Sequence, residues 1–175
     1  MPTPNPVVRP TWSEYFMEFA KVAATRSTCR RTNDGVGAVL VKDRQLLATG
    51  YNGSSPGDLH CIDAGCDMVD GHCQRTVHAE INALAQAARH GQSVEEATLY
   101  STLSPCWTCF RTLHAAGVCR FVALLPYQHA DHRSRVESFA TLRGVQVMTL
   151  ADAISLDKRV ENRWDWVKQG PGVKG

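Results

Sequence analysis

Two short motifs, His78-Ala79-Glu80 and Pro105-Cys106-Trp107-Thr108-Cys109, constrain this chain more than any other feature. They offer one imidazole and two thiols, donors that a borderline-soft ion such as Zn²⁺ takes readily. To serve one ion, two segments far apart in the chain must be brought to the same point, which excludes most ways of folding them. Three protein ligands (His78, Cys106, Cys109) leave the fourth tetrahedral position for water, the mark of a catalytic rather than a structural site. Glu80 stands two residues after the histidine and can reach that water as a proton carrier without ligating the metal. Separately the halves say little. Cys-x-x-Cys also suits half a structural zinc site or a redox pair, and a lone histidine near a helix start is commonly a cap or a core residue.

The local sequence supports both halves. Thr76 is a candidate cap for a helix over Val77–His90, where Ile81, Leu84, Ala85 and Ala88 recur at helical spacing. Ser104 is a candidate cap for a second helix, with Pro105 at its first position, where a missing N–H costs least. Cys106 and Cys109 then share one face of the first turn. The free N–H groups and the dipole at a helix start favour thiolate, the form that binds metal.

At 175 residues with 43% hydrophobic content, the chain suits a single domain with a full core, about 11–150, followed by a C-terminal helix and tail over 151–175. A formal net charge of +2 argues against a nucleic-acid or membrane partner. Residues 1–10 contain four prolines and no long apolar stretch, so neither a signal peptide nor an anchor is expected there. Seven cysteines without a secretory signal point to metal ligation in a reducing compartment, hence to the cytoplasm.

Strands and helices alternate along the chain. Thr11-Trp12-Ser13-Glu14 has the form of a capping box and opens a helix with Trp12, Tyr15, Phe16, Phe19, Val22 and Ala23 on one stripe. Val36–Lys42 and Gln45–Tyr51 read as a strand pair turned at Asp43-Arg44. A Gly- and Cys-rich loop over Asn52–Arg75 precedes the His78 helix. Ala97–Ser101 reads as a strand, followed by the Cys106 helix, a strand at Phe121–Leu125, a helix at Ser134–Leu142 and a strand at Val145–Thr149. Ala151–Val167 reads as a last helix and Gly170–Gly175 as a fraying tail. This order implies an α/β sandwich with a largely parallel sheet. Cys119, at a strand start, reads as core.

The H-x-E…P-C-x-x-C order matches the signature of zinc nucleobase deaminases. With it go Arg26-Ser27-Thr28-Cys29, Val36-Gly37-Ala38-Val39, Gly50-Tyr51-Asn52-Gly53, His60-Cys61, Gly65-Cys66, His72-Cys73 and Asn82-Ala83. From about Arg26 to Val147 the chain resembles the deoxycytidylate (dCMP) deaminase family. That resemblance implies a three-layer α/β sandwich, a mixed five-stranded sheet flanked by helices. It also implies zinc-dependent hydrolysis of dCMP to dUMP and ammonia, supplying dUMP for thymidylate synthesis. In this reading Glu80 is the catalytic acid and base, the Ala79 backbone holds the base, Asn52 contacts the sugar and Tyr127 lies near the nucleotide. A homo-oligomer and dCTP or dTTP effectors are implied as well. The stretch between Cys29 and Val36 is longer than the family's usual spacing, and Ser55, followed by Pro56, stands where the family often has proline.

A monophosphate needs cations. Arg26, Arg30 and Arg31 cluster before the first strand, and arginine suits bidentate phosphate contacts, although basic residues at a helix end also serve the dipole alone. Cys29, Cys61, Cys66, His72 and Cys73 remain. A loop poor in apolar residues lacks constraint, and four of these five would make a structural zinc site of the kind some dCMP deaminases carry; free buried thiols are the other reading. Two other functions share these motifs. A polynucleotide deaminase acting on transfer-RNA adenosine would want a broad basic face. A non-catalytic zinc-stabilised nucleotide-binding module would have no use for Glu80.

Overall fold

β1 (Gly37–Lys42) is buried along nearly its whole length, and both faces of the sheet are covered around it. Ala38 and Leu40 enter one core cluster while Val39 and Val41 enter the other, the period-two alternation of a strand between two layers. The computed structural model describes residues 9–29, 34–70, 72–126 and 130–168, with side chains described except at 72, 130–132 and 161–168; the expected tail at 170–175 lies outside them. β1 follows α1 (Trp12–Ala24) and runs through the Asp43-Arg44 turn into β2 (Gln45–Tyr51). Both turn residues have positive φ, 51° and 61°, as a two-residue hairpin with the twist of its strands requires.

The cysteine-rich segment holds short elements: β3 (Gly53–Ser54), α2 (Cys61–Ala64), β4 (Met68–Val69), β5 (His72–Cys73) and β6 (Thr76–Val77). Then come α3 (Ala79–Arg89), β7 (Thr98–Leu103), α4 (Trp107–Ala115), β8 (Arg120–Leu125), α5 (Ala130–Arg143), β9 (Gln146–Thr149) and α6 (Leu150–Lys168). The main sheet has the order β2-β1-β7-β8-β9. β1 is antiparallel to both β2 and β7, whereas β7, β8 and β9 are parallel. The mixed five-stranded sheet between helices that the family resemblance implies is present; the element order alone suggested a largely parallel sheet, but the first connection is a tight hairpin that can only reverse the chain. α1 and α6 cover one face, α3, α4 and α5 the other.

The helix starting at Trp12 has its full capping box: Thr11 Oγ1 accepts from Glu14 N–H, and the Glu14 carboxylate accepts from Thr11 N–H at 2.7 Å. Its buried line coincides with the aromatic stripe only at Phe16, while Trp12 and Phe19 pack partly buried against the same cluster. Ser13, Phe16, Met17, Ala20 and Ala24 face inward, while Tyr15 and Val22 are exposed. A Cβ added at Gly37 would strike the backbone of Ala20 and Ala24, so the helix rests directly on β1 through its small residues. The same correction applies to α3. It begins at Ala79, not Val77, and buries Ala79, Glu80, Ala83 and Ala87 while Ala85 and Ala88 face solvent. Gly50 of β2 makes room for it; a Cβ there would collide with Ala79 O and Ala83 N. Cys119 is exposed, with its thiol directed at Ala97 O, not a core residue.

Gly50→Ala therefore must push α3 off the sheet. Overpacking of this kind typically costs about 1–3 kcal/mol, and urea unfolding should show the unfolding free energy fall by that amount with a lower midpoint; an unchanged midpoint would show that the gap can absorb a methyl group.

Candidate active site

α3 and α4 meet with their N-termini together, and the residues that cap them are two of the expected ligands. His78 is the N-cap of α3 and makes no side-chain capping bond, which leaves its ring directed elsewhere. Thr76, the expected cap, lies instead in β6. Cys106 is the N-cap of α4, in place of Ser104, and its Sγ accepts from Cys109 N–H at 3.5 Å. His78 Nδ1 lies 3.3 Å from Cys109 Sγ and 3.7 Å from Cys106 Sγ. Ligands held about 2.0–2.3 Å from a tetrahedral ion sit roughly 3.3–3.8 Å from one another. The three donors thus stand at metal-ligand spacing, and all lie within 4.8 Å of one another.

The electrostatics suit the same chemistry. The Cys106 thiol is drawn down to about 4, chiefly by the Cys109 thiol donating to it and also by His78 and the Cys109 N–H. Its neighbour Cys109 is driven up because one thiolate at this distance, together with burial, resists a second. A divalent cation would remove that conflict by accepting both sulfurs as thiolates. Glu80 is buried, 4% exposed, in the first turn of α3. Burial pushes its carboxyl up to about 7; its own backbone N–H and the His78 charge oppose this, and Cys106 adds to it. A carboxyl that exchanges its proton near neutrality is what a general acid and base needs.

Asn52 is buried between β2 and β3. Its Oδ1 accepts from Val36 N–H at 2.7 Å, so the amide orientation is fixed and Nδ2 is the atom left to donate. Ala79, at the first position of α3, is fully buried. Arg26 is exposed just past the end of α1, and among its neighbours Thr25, Ser27 and Cys29 line a cavity of about 750 Å³ that runs to the ends of β7 and β8. Arg30, Arg31 and Tyr127 lie outside the described residues.

A second group forms in the loop: the sulfurs of Cys61, Cys66 and Cys73 lie within 4.8 Å of one another, with Cys61 and Cys73 3.6 Å apart. Cys29 is buried and, among the described residues, joins neither group. His72 lies in β5 and its side chain is outside the described residues. Burial raises the Cys61 thiol to about 11. Burial would raise Cys73 too, but hydrogen bonds from the Thr76 hydroxyl, the Arg75 and Thr76 backbone and Cys61 bring it down to about 6.

A family model described as the cytidine and deoxycytidylate deaminase zinc-binding region matches residues 10–125. The chain belongs to this deaminase family. ComE operon protein 2 of Bacillus subtilis is 44% identical over 110 residues, 63% of this chain and 57% of that protein. The deoxycytidylate deaminase of Saccharomyces cerevisiae is 33% identical over 161 residues, 89% of this chain and 49% of that protein. The chain thus spans about half the length of these two relatives. The dCMP deaminase of cyanophage S-TIM5, solved in complex with dCMP and dUMP, superposes with a TM-score of 0.67 at 30% identity, covering 81% of this chain and 98% of that one. Zinc is the family's metal, and the two-thiol, one-imidazole set at tetrahedral spacing fits it.

Sequence reading missed the residues that hold the site's frame. Asn82 Nδ2 donates to Tyr51 O at 2.8 Å, and Arg75 pairs with Asp58 at 3.1 Å. The first contact ties α3 to the end of β2 and the second joins two side chains across the loop, and no local pattern announces either partner.

Burial of Glu80 makes a testable claim about the metal-free protein. The unfolded chain ionises this carboxyl from about its ordinary 4.5, the folded chain only near 7. The neutral form therefore favours folding, and this stability is present at low pH and lost as pH rises to about 7. After chelation, the melting midpoint of Glu80→Gln relative to the parent should climb between pH 4 and pH 8. A pH-independent difference would place the carboxyl in contact with water.

Proposed function

We propose that this protein is a zinc-dependent hydrolase that converts dCMP to dUMP and ammonia. The carrying observation is the buried carboxyl of Glu80 beside the His78, Cys106 and Cys109 donors. Its relatives named deoxycytidylate deaminase support the nucleotide substrate. When bound, Zn²⁺ acidifies a water molecule toward neutrality. Glu80 takes the proton that this water gives up and returns it to the ring nitrogen beside the amino-bearing carbon. As the oxygen of that water adds to the amino-bearing carbon, Glu80 takes the second proton from the added hydroxyl and delivers it to the amine. The C–N bond then breaks, ammonia leaves and the carbonyl of the product forms. Ala79 N–H, at the first helical position, has no partner within the helix and can donate to the base carbonyl. Asn52 Nδ2 would donate to the sugar. Arg26 and Arg31 are the cations for the phosphate, and Tyr127 flanks the nucleotide.

In the loop, Cys61, Cys66 and Cys73 would hold a second, structural zinc with His72 as fourth ligand, leaving Cys29 out. Apolar side chains exposed on this loop, Leu59, Ile62, Met68 and Val69, support association into a homo-oligomer, and dCTP or dTTP would act as effectors. Seven free thiols fit a reducing cytoplasm. No helix among the described residues is long and apolar enough to cross a membrane.

Ammonia release measured with dCMP, CMP, deoxycytidine, dCTP and a transfer RNA tests the substrate. dCMP should exceed deoxycytidine strongly in kcat/KM, and Arg26→Ala should narrow that gap; equal use of the two would remove the phosphate assignment. Glu80→Gln should retain zinc while kcat falls on the order of a hundredfold or more. Zinc lost from that variant would instead make Glu80 a ligand. Metal analysis should find two zinc ions per chain, falling to one in Cys61→Ser together with a lower melting temperature. One zinc in the parent, with Cys61→Ser fully stable, would leave the loop cysteines as ordinary thiols.

A further inference from the structure

β3 and β6 pair over only two residues each, Gly53 with Val77 and Ser54 with Thr76. A ladder this short does not hold itself together in water. Yet Asn52 lies immediately before β3 and His78 immediately after β6, so the ladder sets the distance between the amide proposed for the sugar and the imidazole proposed for the metal. On one side it is tied to the body of the fold. Asn82 of α3 donates to Tyr51 O at 2.8 Å, and the Asn52 backbone N–H donates to Val36 O at 3.0 Å.

On the other side the tie is Thr76. Its hydroxyl lies 3.3 Å from Cys61 Sγ and 3.6 Å from Cys73 Sγ, so it joins the three-cysteine group to β6 two residues before His78. His78 makes no side-chain capping bond to α3, and its carbonyl accepts from Asn82 N–H at 2.9 Å, so its placement is set jointly by α3 and by the direction in which β6 delivers the chain. We propose that Thr76 is a positioning residue: its hydroxyl, anchored on the loop cysteine group, holds the β3–β6 ladder and through it registers His78 and Asn52 on the same substrate. This rests on the two-metal reading above and adds to it a mechanical role for the loop site.

Groups that orient a metal ligand from behind typically cost 10–100-fold in metal affinity when removed. Thr76→Val keeps the shape and the strand preference while deleting the hydroxyl, and Thr76→Ser keeps the hydroxyl. In chelator competition on the zinc-loaded full chain, Thr76→Val should give up the zinc of the His78 site at about tenfold lower chelator concentration. With zinc in excess, its KM for dCMP should rise several-fold while kcat stays close to the parent's. Thr76→Ser should match the parent in both. Parent-like zinc release and KM in Thr76→Val would overturn the coupling, and so would a Thr76→Ser variant as impaired as Thr76→Val, since the methyl group would then be what matters. A parent chain that binds no zinc at His78 would instead defeat the metal reading on which the coupling stands.

Discussion

The convergence of two helix starts, with His78 capping α3 and Cys106 capping α4, is the constraint on which the rest of this protein depends. Each donor sits at the junction between an extended segment and a helix, where backbone direction is set by the elements on both sides. α3 is placed by its close seat on Gly50 of β2. α4 is placed by the parallel pairing of β7 with β8, which it must bridge as a crossover. The hairpin β1–β2 and the pairing of β1 with β7 then bring the two helix starts together. Small residues serve this geometry better than large ones, because a helix whose backbone touches the sheet has little freedom to slide.

The same close packing explains the state of Glu80. A carboxylate in the first turn of a helix would ordinarily be stabilised by the dipole and by water. Here the alanine face of α3 lies so close to the sheet that Glu80 is taken inward with it, and burial outweighs the helix start. A carboxyl that exchanges its proton near neutral pH thus follows from packing rather than from any special neighbour. Cys106 shows the opposite balance. Hydrogen bonds from Cys109 and the charge of His78 overcome its burial and favour thiolate.

The loop between β3 and β6 has few buried side chains, and its exposed Leu59, Ile62, Met68 and Val69 contribute nothing to the two main clusters. Its order comes from two-residue pairings, the Arg75–Asp58 ion pair, local hydrogen bonds such as Ser54 Oγ to Leu59 O at 2.7 Å and Gln74 N–H to Asp67 O at 2.7 Å, and the cysteine group. An exposed ion pair of this kind contributes little. Gathering three sulfurs brings α2 and β5 together, and the loop's neighbours in the chain are Asn52 and His78.

Much of this was legible in the chain alone. Donor identities, the order of strands and helices, the capping box at Thr11 and the Asp43-Arg44 turn depend on residue type and local spacing, and each has a signature a few residues long. Helix faces were misread at α1 and α3, because periodicity ranks large apolar residues as the buried ones, whereas close approach at Gly37 and Gly50 turned the alanines inward. The caps were misread for a related reason: Thr76 and Ser104 have better capping chemistry than His78 and Cys106, but strand pairing ended the extended segments later than propensity alone would. Which loop cysteines group together was open in the sequence, and the structure gathered Cys61, Cys66 and Cys73 while leaving Cys29 apart. Residue chemistry specifies what a site can bind. Where each donor points is decided by contacts between segments distant in the chain, and only the folded sheet with its helices supplies those.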